Sequence, residues 1–143
     1  MKWVTWENVG VDRIGCAWLI RRHIDRDAQF TFIPEGSTDL AAGAEPFDMP
    51  GVRLSHHGGH CSFHAILRDY ELTADAVLRR IARIIDEADT VQEVQVEPSA
   101  PGLDLICTGI RLASADDLEA FERGAFVYDA LYAALARESQ ERL

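Results

Sequence analysis

Lysine is almost missing. Among 14 basic residues Lys2 is the sole lysine, and the 24 acidic residues leave a net charge of −10 over 143 positions. Phosphate contacts need a cationic surplus, so no direct nucleic-acid binding is expected. Cysteine is scarce too. Cys16, Cys61 and Cys107 are odd in number, far apart and without a CxxC pair, which excludes a disulfide framework and points to reduced thiols. No apolar run approaches the roughly 18 residues of a membrane span. Glu7, Asp12 and Arg13 interrupt any signal-peptide core at the N-terminus. The expectation is a cytoplasmic protein with no membrane partner. Internal repeats, a P-loop, a glycine fingerprint and a Ser-His-Asp order are also lacking.

What remains is ordinary globular material, 48% apolar and 27% charged. The length suits a single domain over residues 1–143. KWVTW carries strand formers, and QFTFIP alternates Phe30 and Phe32 against Thr31 and Ile33. Between them Asp12 stands where a helix N-cap belongs, and Ile14, Ala17, Trp18, Ile20 and Ile24 give a broad apolar face up to about Asp25. VRLSHH is a third, weaker strand, and Pro34 to Pro50 reads as a loop. Phe63, Ile66, Leu67 and Tyr70 fall at helical spacing. Thr73 caps a helix whose stripe is Val77, Ile81, Ile84 and Ile85. Gly102 to Leu112 is a short helix, and Ser114 with Asp117 opens the last one, which Gly124 bends. The fold class is α/β, with a helix-rich α+β arrangement as the alternative: about three strands and four or five helices.

Four of the five histidines sit together in HHGGHCSFH, as His56, His57, His60 and His64, with Cys61 among them. Imidazole and thiolate are preferred ligands of zinc and other late first-row metals. His60 and His64 share a helix face if both are helical, and Gly58-Gly59 lets His56 or His57 fold back toward the helix start. A solvated turn with Cys61 as a small core residue fits the segment equally well.

In an open α/β sheet, sites form beyond the carboxyl ends of the strands. Asp12 and Arg13 follow the first strand, Glu35 the second, and His56 and His57 end the third. Parallel strands would bring these elements to one edge, where Asp12 or Glu35 completes a His/Cys set with a carboxylate. The plainer readings are a helix cap for Asp12 and an exposed loop acid for Glu35. Arg13, Arg21 and Arg22 are candidates for an oxyanion clamp, against simple pairing with Asp25 or Asp89. Trp3, Trp6 and Trp18 read as core, and Asp86 and Glu87 as a solvated helix end.

The segments VDRIGCAWLIRRHID, FTFIPEG, EPFDMPG, HHGGHCSFHAIL, LRRIARIIDEADT and FVYDALYAAL occur in that order. Together they resemble the ChrB-type chromate-resistance domain, with its DRIxCAWLIRRxID, PFDxPG, HxGxxCxF and RIxxxAD motifs, over about Trp3 to Leu135. In that family a two-part regulator carries its DNA-linked role in an N-terminal portion, and the domain resembled here is the C-terminal portion, here as a stand-alone chain. The resemblance carries over Asp12, Arg13, Cys16, Trp18, Arg21, Arg22, Asp48, His57, Gly58, Cys61, Phe63 and Asp89. At His60 and His64 this chain departs from positions more often acidic in the family.

The leading expectation is thus a chromate-response domain that acts as a sensor or accessory protein. It binds a divalent transition metal, zinc or iron first, through His57 and Cys61 with His60, His64, Glu35 or Asp12. The alternatives are a small redox or hydrolytic metalloenzyme and an oxyanion-binding protein using Arg13, Arg21 and Arg22. Its partners would be a metal ion or small oxyanion, and the amphipathic last helix leaves a homodimer open beside a monomer.

Overall fold

Lys2–Trp6 (β1) is the middle of a three-stranded, all-parallel sheet. Gln29–Ile33 (β2) pairs on one side, with Trp3 opposite Phe30 and Thr5 opposite Phe32. The computed structural model describes residues 1–40 and 42–141. It places a two-residue β3, Glu45–Pro46, on the other side of β1. Trp3, Val4 and Thr5 are fully buried, as expected for a central parallel strand covered on both faces. The third strand expected at VRLSHH is corrected. That segment contributes Leu54, bridged to Phe47 just beyond β3, and His57, which bridges back to His60, and the pairing with β1 falls to the Pro34–Pro50 stretch. A two-residue strand has no periodicity to announce it.

Helix α1, Val11–Leu19, runs on into one π-helical turn, Ile20–Ile24, where Asp25 N donates to Ile20 O at 2.7 Å. The cap residue is Gly10, not Asp12. After β3 come α2 (Ser62–Asp69), α3 (Ala76–Asp89), α4 (Ala100–Ala113) and α5 (Asp117–Glu141). Asp75, not Thr73, caps α3, accepting from Val77 N and Leu78 N. Ser114 is spent on the end of α4, donating to Ile110 O, while Asp116 takes the N–H of Glu119 at the start of α5. Five helices around a small parallel sheet make the fold α/β.

The sheet and helices meet over Trp3, Ile14, Trp18, Phe47, Phe63, Ile81, Ile85 and Tyr128. Trp18 stacks between Phe63 and Tyr128, with centroids 6.4 and 5.7 Å away. Gly124 serves close approach: a Cβ there would lie 2.3 Å from Ile14 Cγ2, so α1 and α5 touch backbone to side chain. Tyr128 completes that contact by donating its hydroxyl to Val11 O at 2.6 Å. No helix among the described residues is long and apolar enough to cross a membrane.

Candidate metal centre

The carboxyl end of β1 delivers Asp12 and Arg13 through the short turn before α1. Asp12 is 2% exposed, and its carboxylate turns away from its own helix toward α2. Oδ2 accepts the N–H of Ser62 at 2.8 Å and Oδ1 that of Phe63 at 3.0 Å. A buried carboxylate is stabilised at a helix N-terminus, where free N–H groups and the helix dipole converge. The thiol of Cys16, one turn further along α1, donates to Oδ1 at 3.4 Å.

His56 closes over the same carboxylate. Its Nε2 lies 2.9 Å from Asp12 Oδ2, 3.3 Å from Asp89 Oδ2 and 3.8 Å from Asp48 Oδ1. Asp89 ends α3. Asp48 follows β3 in the left-handed conformation, φ +52°, and accepts the Ser62 hydroxyl at 2.6 Å. Arg13 braces this loop. Its Nη2 donates to Asp48 O at 2.9 Å and its Nε sits 2.9 Å from Asp48 Oδ2, an ion pair whose N–H is not aimed along the contact. These residues line a cleft of about 560 Å³ with Trp6, Glu35 and Ser55.

Three carboxylates face two cationic groups, so the site carries a negative excess. Burial and the neighbouring charges shift the titration of three of these groups. The hydrogen bond to Asp12 holds the His56 imidazolium up to about 9. Burial, then the charge of Asp12, pushes Asp48 up to about 8, against the pull of Arg13. Burial raises Asp89 to about 6. Each group therefore keeps its proton to a higher pH than the same side chain does free in water. One ligand atom from each of Asp12, His56 and Asp89 lies within 4.8 Å of the others, a spacing that could hold a metal ion. The donor set is two carboxylates and one imidazole, with no thiolate.

The other candidates from the sequence fall in different places. His57 faces out, its Nε2 2.8 Å from Arg53 O. Gly58 and Gly59, at φ +58° and +81°, make the tight turn that pairs the backbones of His57 and His60. His60 and His64 stack on each other beside Asp86, away from the cleft. Cys61 is fully buried, its Sγ 3.6 Å from Ala82 O, and burial pushes its thiol well up. Glu35 lines the cleft, with its carboxylate 3.4 Å from Asn8 Nδ2. The three arginines are not brought together. Arg21 lies over the Phe30 ring and donates to Ala28 O, and Arg22 pairs with Asp129.

Asp86 is corrected from solvated helix end to a 6% exposed acceptor, taking Cys61 N at 2.7 Å. His56, which the sequence reading set beside His57 without choosing it, is the histidine in the cleft. A signal for it existed: counted back from Gly58 and Cys61, the histidine of HxGxxCxF falls on position 56. Asp48 and Asp89 were flagged by their motifs, but nothing local to either showed that they meet.

The family described as ChrB, C-terminal domain matches residues 3–135. Protein ChrB of Cupriavidus metallidurans is similar, 32% identical over 131 residues that cover 92% of this chain and 40% of that protein. The chain therefore spans well under half the length of this relative. No solved structure matches. A match that begins in β1 and ends inside α5, and so takes in every element that builds the cleft, shows the family: the chain belongs to that of the ChrB C-terminal domain.

Proposed function

We propose that this chain is a cation-binding sensor or accessory domain of a chromate response, with the ion held by Asp12, His56 and Asp89 and with Asp48 poised beside them. The observation that carries the reading is the convergence of those three side chains from the starts and ends of separate elements. Asp12 comes from α1, His56 from the loop after β3 and Asp89 from the end of α3. A divalent cation would offset the excess of carboxylates in the cleft, and it would link these elements through one point. The chromate association comes from the family resemblance. The metal reading rests on the geometry and charge of the cleft. Two carboxylates and an imidazole favour Mn²⁺, Fe²⁺ or Zn²⁺, in keeping with the expectation of zinc or iron.

The test is metal titration of the chain after chelator treatment, followed by calorimetry, beside Asp89→Asn and His56→Ala. One equivalent of Zn²⁺ or Mn²⁺ bound by the parent chain, and weakened at least tenfold in both variants, is the expected result. Equal affinity in all three would end the reading. Coordination number, read from X-ray absorption of the zinc form, then separates a closed sensor site from one with an open position for chemistry.

A further inference from the structure

On the far side of the Gly58-Gly59 turn, a second group of side chains has the form of a metal-binding pair. His60 precedes the cap of α2 and His64 lies one turn into it. Their rings stack with centroids 4.3 Å apart and planes 23° from parallel. His60 is exposed and His64 partly buried, and both line a groove of about 510 Å³ whose apolar walls include Leu67, Val94 and Val96. Asp86 reaches up from α3 and meets His60 Nδ1 at 2.8 Å.

That contact fixes the chemistry of His60. A carboxylate oxygen accepts, so Nδ1 is the donor in this contact, and Nε2 is the nitrogen left free of Asp86. A carboxylate behind a histidine in this manner sets the tautomer and raises ligand basicity in metal sites. Asp86 is itself immobilised, because its other oxygen takes the buried N–H of Cys61 at 2.7 Å. The cations in the groove are already engaged. Arg83 pairs with Glu97 at 2.9 Å and Arg79 donates to Thr73 O at 2.6 Å.

We infer that His60 and His64, oriented by Asp86, form a second metal site that takes an imidazole-preferring late first-row ion, Cu²⁺, Ni²⁺ or Zn²⁺. The ring centroids are 4.3 Å apart, and, because imidazole lone pairs lie in the ring plane, rotation about the side-chain torsions of His64 is what would turn a nitrogen of each ring toward one ion. The site is independent of Asp12, His56 and Asp89. It has nitrogen donors where the cleft has mainly oxygen, so the two differ in metal preference. With only two imidazoles from the protein, water completes the coordination.

The probe is Cu²⁺ alone, added to the full chain carrying Asp89→Asn so that the cleft is weakened. Binding is read by calorimetry and by nitrogen hyperfine structure in the electron paramagnetic resonance spectrum. One Cu²⁺ per chain with two nitrogen ligands is expected. Adding His60→Ala or His64→Ala should weaken it at least tenfold and remove the two-nitrogen pattern. His57→Ala, an exposed histidine in the same segment, should stay within twofold. Equal losses for His57→Ala and His60→Ala would overturn the site, as would affinity unchanged by His64→Ala. Circular dichroism confirms that each variant is folded. Asp86→Asn, which keeps one acceptor oxygen, should lower affinity ten- to hundredfold. The cleft is judged separately by Mn²⁺ in the parent chain, so failure at either site leaves the other standing.

Discussion

Asp12 Oδ2 accepts the backbone N–H of Ser62 at 2.8 Å, so the second residue of α1 closes the first turn of α2, fifty positions further along the chain. Asp86 does the same for the N–H just before it, that of Cys61. Two carboxylates from two other helices thus cap one eight-residue helix, and each also holds a histidine from the loop that leads into it. In Asp12 both contacts fall on Oδ2, whereas Asp86 divides them between its two oxygens.

That overlap predicts a separation between two substitutions. Asp12→Asn weakens two buried helix-end bonds and should cost about 3 kcal/mol of unfolding free energy. Asp89 is over one-third exposed and makes no backbone bond among the described residues, so Asp89→Asn should cost under about 1 kcal/mol. Urea denaturation in a chelator measures both. A small loss at Asp12, or a large one at Asp89, would contradict the arrangement.

The proton balance of the cleft gives a pH dependence of unusual sign. His56 is raised from 6.5 to about 9, so its contribution is complete below 6.5 and is lost as pH climbs through 9. Asp48 and Asp89 are raised from 3.8 to about 8 and about 6, so a penalty appears above pH 4 and grows until each has ionised. In all three cases the folded chain binds more protons than the unfolded one, and the stability these groups contribute falls as pH rises from about 4 to 9. Asp25 and Asp129 are held low and act only below pH 4. Burial lowers His23 and His64, which oppose this trend up to about pH 6.5, so the denaturation midpoint of metal-free protein should drop between about pH 7 and 9. Saturating Zn²⁺, which competes better as protons leave, should flatten that slope.

Gly124→Ala places a methyl group 2.3 Å from Ile14 Cγ2 between two helices. Overpacking of this kind costs about 1–3 kcal/mol. Differential scanning calorimetry should show a melting temperature lower by several degrees. An unchanged value would mean that α1 and α5 are further apart than described.

All three thiols should be inert in the folded protein. Burial raises Cys16 and Cys61 well above the ordinary range, and Cys107 to about 12. Thiolate is the reactive form. Ellman's reagent at pH 8 should find none of them on a scale of minutes, and all three after guanidinium. Rapid native modification of one would identify an opening in the core.

The sequence announced the elements that have a period. β1, β2 and the apolar faces of α1, α2 and α3 are visible because alternation and helical spacing are local properties. β3 is not, since two residues carry no period and Pro46 argues against a strand. The histidine segment was visible as composition, but its members part company at the glycine turn: His56 goes one way, His60 and His64 the other. Nothing in local spacing says which side of a two-glycine turn a ring will take. Asp12 was legible as a helix-start acid, yet its partners lie at Ser62 and Phe63, and contacts at such separation have no sequence signature. Asp48 and Asp89 needed the packed fold to bring them within reach of His56.

The brevity of β3 has one more consequence. A three-stranded sheet has two open sides, and a free side invites strands from other chains to add on. Here one of them is two residues long and ends in Pro46, which has no N–H to offer. Phe47 then turns its N–H inward, to Val4 O at 3.1 Å. A foreign strand arriving at this border would find almost no ladder to extend, so the same irregular stretch that carries Asp48 to the cleft also protects the chain against edge-to-edge aggregation.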